Sequence, residues 1–203
     1  MDPYVYPGTS VLRNLRDVRA PEELSQFEGT ATARRIAELA HHPIRGTFDT
    51  SHLQAIHRYI FQDVYAWAGE FRTVDISKGG HLFGLYQHIV PFLHKTFVEL
   101  QMEKYLAGTR LKHFAHRAAH YLGEINAIHP FRDGNGRTQR EFIRNLAVRN
   151  GYALDWSRVS RDQMIGASRQ SFRSDNAGLE RALRAALENE HNRIREQEPW
   201  RSY

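Results

Sequence analysis

Cysteine is absent from this chain of 203 residues, which excludes disulfides and thiolate metal sites. Long apolar runs are missing as well: none approaches the ~20 residues that a membrane-spanning helix requires. The start, Met1-Asp2-Pro3-Tyr4-Val5-Tyr6-Pro7-Gly8, lacks a basic region followed by an apolar one, so no Sec signal is legible. The cytoplasm is the expected location, with a non-Sec export route left open. Neither sign of charge dominates, with 28 Lys and Arg against 23 Asp and Glu and a net charge of +5. That dispersed surplus suits acidic ligands. Because no basic tract is interleaved with aromatics, direct nucleic-acid binding is not expected. Internal repeats and low-complexity linkers are also lacking, so residues 1–203 read as a single domain with ample length for a core.

What is present is mostly helical patterning. Residues 1–19 read as an irregular arm punctuated by Pro3, Pro7 and Gly8. Pro21-Glu22-Glu23 opens a helix running to about His41. Apolar residues at helical steps predict further helices over about 51–64, 87–105, 110–127, 136–150, 160–172 and 176–196. Between the first and second of these, residues 70–85 alternate and include the turn signal Lys78-Gly79-Gly80, so they form a candidate β-hairpin. The fold class is therefore all-α with one short hairpin. His113, His116 and His120 share a helix face, but the His116–His120 unit lacks the Glu of a zinc-protease helix, so no metal is expected there. Trp67, Trp156 and Tyr152 are expected in the core.

The most informative stretch is His129-Pro130-Phe131-Arg132-Asp133-Gly134-Asn135-Gly136-Arg137-Thr138-Gln139-Arg140. The preceding helix ends near His129, because Pro130 has no amide hydrogen to continue it. The cluster then sits at the N-terminus of the next helix, where unpaired amides and the helix dipole favour an anion. Gly134 and Gly136 permit close approach of a ligand, and Asn135 can donate to a phosphate. Arg137 and Arg140 lie three apart, on one helix face, and each guanidinium forks onto phosphate oxygens. Asp133 offers the hard carboxylate that Mg²⁺ prefers, and His129 can act as a neutral base near neutral pH. The stretch is neither a Walker loop nor a dinucleotide fingerprint.

From His129 to Arg140 the stretch resembles the signature of Fic-domain proteins, His-Pro-Phe-x-Asp/Glu-Gly-Asn-Gly-Arg-x-x-Arg, at every specified position. The resemblance implies a Fic fold and transfer of AMP from ATP to a hydroxyl side chain (Tyr, Ser or Thr) of a target protein, releasing pyrophosphate. It implies that His129 is the catalytic base, that Phe131 anchors the loop and that Asp133 holds Mg²⁺. Gly134, Asn135 and Gly136 would form an anion hole, and Arg137 and Arg140 would grip the outer phosphates. Residues 70–85 match the family's target-positioning flap, with Val74, Ile76 and Phe83 facing the target, and with Lys78 and Gly79 near the nucleotide. Phe83 either clamps the target side chain or anchors the flap.

Many Fic proteins carry an inhibitory helix with the pattern Ser/Thr-x-x-x-Glu-Gly/Asn, whose Glu pairs with the second motif arginine, here Arg140. Glu28-Gly29 and Glu188-Asn189 have Leu24 and Arg184 four positions earlier, so neither fits and both read as helix surface. The expectation is a bacterial toxin restrained by a separate small antitoxin that supplies the Glu, with a type II topoisomerase (DNA gyrase or topoisomerase IV) as the target. Alternatives within the family are the domain of a secreted effector that modifies host GTPases, and transfer of phosphate or phosphocholine. The phosphate-transferring relatives replace Gly136 with Lys and lose the last arginine, whereas Gly136 and Arg140 are intact here. A nucleotide-binding domain with a dead site is the non-enzymatic alternative.

Overall fold

The computed structural model describes residues 2–197. It is a helical bundle whose elements are α1 (Pro21–His41), α2 (Thr50–Phe61), the two-stranded hairpin β1 (Ser77–Lys78) and β2 (His81–Leu82), α3 (Ile89–Met102), α4 (Leu111–Ile128), α5 (Asn135–Arg149), α6 (Arg161–Ser171), α7 (Ala177–Leu187) and α8 (Glu190–Gln197). The central member is α4. Phe114, Ala115, Ala118, Ala119, Tyr121, Leu122, Ile125 and Ile128 bury most of its circumference, and α3, α5, α6 and α7 pack around it. Small residues let α6 and α7 come close to α4 and to each other. A side chain at Gly123 would put its Cβ 2.5 Å from the Asn176 amide oxygen.

Local chemistry sets the helix ends. Asp49 caps α2 by accepting the His52 N–H at 2.8 Å. Ser160 and Gln163 form a reciprocal capping box that starts α6. The second helix stops at Phe61, three residues short of the expected end, and residues 62–64 form a turn. The expected last helix is broken into α7 and α8, because Glu188 leaves the helical region (ψ 77°). Asn192 stabilises the break by donating to the carbonyls of Leu187 and Ala153.

The hairpin is shorter than the expected 70–85. Ser77 pairs with Leu82 and Lys78 with His81, and one further bond runs from the Phe83 N–H to the Ile76 carbonyl. Gly79 (φ 59°) and Gly80 (φ 80°) make a two-residue turn in which both positions need positive φ. Residues 70–76 are irregular because their backbone is committed to the protein beneath them rather than to a partner strand.

Arg72 makes that commitment. Its side chain is fully buried and donates through Nε to the His129 carbonyl (2.8 Å), through Nη1 to Val74 (2.6 Å), and through Nη2 to Ile128 (3.0 Å) and Gly84. Its backbone N–H donates to Pro130. One guanidinium thus ties both feet of the hairpin to the C-terminal end of α4. The arm before α1 is irregular as expected, yet it packs: Tyr4, Tyr6, Val11 and Leu12 are buried, and Asp2 pairs with Arg132 in the motif stretch at 2.8 Å.

Arg72→Met leaves four carbonyls without their donor while keeping the volume. It should cost roughly 2–4 kcal/mol, read by urea denaturation. Arg72→Lys should recover little of this, since an ammonium cannot reach carbonyls spread across a planar fork.

Candidate active site

The loop between α4 and α5 is bent twice into the left-handed region. His129, the C-cap of α4, has φ 48° and ψ 66°, and Gly134, the N-cap of α5, has φ 78°. A non-glycine residue in that region is held there against a cost of about 1–3 kcal/mol, and the Arg72 bonds to Ile128 and His129 supply the holding. At Gly134 no other residue fits, because a Cβ would lie 2.2 Å from the Phe61 ring.

Two further side chains shape this backbone. The amide of Asn135 is buried and brackets Phe131, with Nδ2 donating to the Phe131 carbonyl (2.7 Å) and Oδ1 accepting the Phe131 N–H (2.9 Å). The expectation that this side chain donates to a phosphate is therefore corrected: its polar atoms close the loop, and what Asn135 offers an anion is its backbone N–H. That amide and the one at Gly136 are the first of α5, where no carbonyl a turn earlier receives them.

The second shaping residue is His57, which sequence reasoning missed. Its Nδ1 accepts the Gly69 N–H at 2.8 Å, so Nε2 carries the hydrogen and donates to the Asp133 carbonyl at 3.1 Å. The ring stacks on Phe131 with centroids 3.8 Å apart. Burial pushes its pKa down to about 3, with the Arg137 charge adding to the shift, so the ring is a permanent neutral strut. The signal was its place on the inward face of α2 with Leu53, Ile56, Ile60 and Phe61. Arg72 was missed because no motif marks a buried arginine in an irregular segment.

The loop opens into a cavity of 860 Å³, lined among others by Lys78, Gly79, Phe83, His129, Asp133, Gly134, Asn135, Gly136, Arg137 and Arg140. Ten of the twelve expected site residues thus meet around one space, which is of a size suited to a nucleotide. The other two, Val74 and Ile76, do not line it. They are half-buried, and their carbonyls serve Arg72 and Phe83. Phe83 is buried, stacks on the His129 ring with centroids 3.7 Å apart and planes 17° apart, and borders the same cavity. Trp67 and Tyr152 are core residues as expected, but Trp156 is half-buried, lines the cavity and donates its indole N–H to the Arg140 carbonyl at 3.1 Å.

Among the described residues, His129 keeps one ring nitrogen free. Its Nδ1 lies 3.2 Å from the Asn126 carbonyl; a carbonyl only accepts, so Nδ1 carries the hydrogen and Nε2 presents its lone pair. Burial lowers its pKa to about 4, helped by the charges of Lys78 and Arg72 and opposed by the Asn126 hydrogen bond and Asp133. The imidazole is therefore neutral throughout the physiological range. Asp133 is exposed, and one carboxylate oxygen accepts the Gly134 N–H. That leaves the second oxygen for a hard cation shared with substrate phosphates, so the residues present fit Mg²⁺.

The arginines differ. Among the described residues, no carboxylate pairs with Arg140; its guanidinium lies over Gly136, whose added Cβ would be 3.3 Å from Nη1. Burial and the neighbouring Arg137 both lower its pKa. Arg137 is engaged by α1, where Nη2 donates to Glu28 and Nη1 to the Thr32 hydroxyl (3.0 Å). The reading of Glu28 as helix surface is corrected by this contact: the side chain is 14% exposed and bonded to the motif arginine. On α4, His116 and His120 lie beside Glu180 (2.8 Å) and Glu99 (3.1 Å).

The Fic/DOC family model matches residues 47–147. The chain is 40% identical to the protein adenylyltransferase VbhT of Bartonella schoenbuchensis over 92% of its own length, but spans only 39% of that relative. It is 41% identical to "Probable protein adenylyltransferase y4lH" of Sinorhizobium fredii, over 92% of this chain and 96% of the relative. In fold it matches the N-terminal Fic domain of a VirB-translocated Bep effector from Bartonella quintana, solved with bound ADP, at a TM-score of 0.86 and 27% identity, covering 90% and 93% of the two chains. This chain belongs to the Fic/DOC family.

Gly134→Ala should cost roughly 2–4 kcal/mol through backbone strain and collision with Phe61, and the loss of nucleotide binding should exceed what the lowered melting temperature accounts for. Calorimetry beside nucleotide titration checks both.

Proposed function

We propose that this chain transfers AMP from ATP to a hydroxyl side chain of a target protein and releases pyrophosphate. The carrying observation is a neutral imidazole with its Nε2 lone pair available, on the same cavity as an anion-binding helix N-terminus and two arginines. The relatives named as protein adenylyltransferases, and the neighbour solved with ADP, support the same reading.

His129 Nε2 takes the proton of the target hydroxyl, whose oxygen attacks the α-phosphorus of ATP. A bond forms between that oxygen and phosphorus, the bond from phosphorus to the α,β-bridging oxygen breaks, and its electrons leave with pyrophosphate. The amides of Asn135 and Gly136, with Arg137 and Arg140, receive the negative charge. Mg²⁺ held by Asp133 and the phosphates would supply further charge neutralisation. The hairpin presents an exposed strand edge at Ser77–Lys78, to which an extended target segment can add by main-chain hydrogen bonds.

The finer reading is of a toxin acting in the bacterial cytoplasm on a type II topoisomerase subunit and restrained by a separate antitoxin. In support, Arg140 is open to the cavity, where a carboxylate from another chain would compete with a phosphate. No helix among the described residues is long and apolar enough to cross a membrane. A second reading, the Fic domain of a translocated effector acting on host GTPases, draws support from the effector fold neighbour.

With α-labelled ATP, Mg²⁺ and bacterial lysate, label should enter protein, and purified gyrase should be labelled in the same assay. His129→Ala should lower the rate by about 10²–10⁴-fold. Label that enters equally with the mutant overturns the mechanism. The pH profile follows from the base: its active form is neutral, so kcat/KM should fall only on acidification toward about 4 and stay flat through pH 6.5. An acid limb centred near 6.5 would mean that His129 is not held as described.

A further inference from the structure

Arg137 is seated from behind. Its guanidinium carbon lies 4.6 Å from the centre of the Phe61 ring, and Phe61 is the same ring against which Gly134 packs. One terminal nitrogen donates to a Glu28 carboxylate oxygen, and the other to Thr32 Oγ1 at 3.0 Å. The second Glu28 oxygen accepts the Tyr65 hydroxyl. Thr32 is itself fixed, donating its hydroxyl to the Glu28 carbonyl at 2.7 Å. Tyr65 is buried and stacks on Trp67 at 4.3 Å. The carboxylate therefore cannot swing away without leaving the Tyr65 hydroxyl unpaired, nor can the guanidinium without losing the ring.

We propose that Glu28, backed by Tyr65 and Thr32, is a positioning residue that fixes Arg137 for the outer phosphates of ATP. The proposal rests on the adenylyltransferase reading and deepens it. A carboxylate on a phosphate-binding arginine has two opposite effects available. It can occupy the place of the phosphate, in which case its removal improves nucleotide binding. Alternatively, it can hold the guanidinium from the far side, in which case its removal weakens binding. The geometry points to the second. Both Glu28 oxygens are taken up by protein donors, and the approach is from α1 and α2. Two of the five guanidinium N–H groups are used there, which leaves three for an anion, and Arg137 lines the cavity.

The test is titration calorimetry of wild type, Glu28→Gln and Tyr65→Phe with two probes, the non-cleavable α,β-methylene ATP (with Mg²⁺) and AMP. Glu28→Gln should weaken the triphosphate roughly ten-fold and Tyr65→Phe about three-fold, with AMP affinity unchanged, because Arg137 is spared for the outer phosphates. In an Arg137→Ala background, Glu28→Gln should add nothing, as expected for two residues acting through one contact. Parallel weakening of both probes would show general damage and overturn the proposal, as would unchanged or tighter triphosphate binding. If Glu28→Gln fails to fold, Tyr65→Phe and Thr32→Val carry the same prediction. A wild type that binds neither probe overturns the adenylyltransferase reading and this proposal with it, whereas a wild type that binds while the variants match it overturns this proposal alone.

Discussion

The carbonyls of Ile128 and His129 point into the protein at the place where a helix would normally end in water, and one buried guanidinium donates to both. Much follows from that bond set. Held by Arg72, the chain turns left-handed at His129, and that turn swings the imidazole onto Phe83 and aims its second nitrogen at the cavity. The same guanidinium donates to the carbonyls of Val74 and Gly84, so the hairpin is fixed beside the His129 ring. An arginine buried among carbonyls meets its desolvation cost with hydrogen bonds rather than with a full ion pair; Asp75 is 3.7 Å away and partly solvated.

His57 and Asn135 do for the second half of the loop what Arg72 does for the first. Each uses polar side-chain atoms to satisfy backbone groups that the bend strands without partners: the Asp133 carbonyl, and the Phe131 N–H and carbonyl. The result is a loop whose backbone amides are left for a ligand because its other polar groups have partners inside. Phe131 and Phe61 both stack on the His57 ring, and Phe61 also meets Gly134 and Arg137, so the loop is stiffened by aromatic packing as well as by hydrogen bonds.

The helices were legible because their periodicity is strong and Pro21 opens α1 where the sequence suggests, while the structure adds caps at Asp49 and at Ser160 with Gln163. The motif from His129 to Arg140 was legible because it is contiguous. What escaped was long-range. Glu28 lies more than a hundred residues from Arg137, and nothing in the local pattern of α1 marks it as bonded. Arg72 and His57 look like ordinary residues until the fold brings carbonyls to them. The expected hairpin was too long because alternation in 70–76 reflects half-burial against α4 rather than strand pairing. Asn135 was misassigned because an amide in an anion loop has the same chemistry whether it faces the ligand or the loop. Only its two bonds to Phe131 decide between them.

Charge explains why this stiff loop should still respond to a ligand. Lys78, Arg137 and Arg140 border one cavity beside a helix N-terminus, and among the described residues only Arg137 of the three has a carboxylate partner. Poor solvation and then repulsion from Arg137 act on Arg140, while burial, with Lys78 and Arg72 adding to it, acts on His129. A polyphosphate entering such a space relieves these repulsions together, and its affinity draws on work already done in folding the site. Burial keeps His129 neutral, and the charges of Lys78 and Arg72 add to that effect.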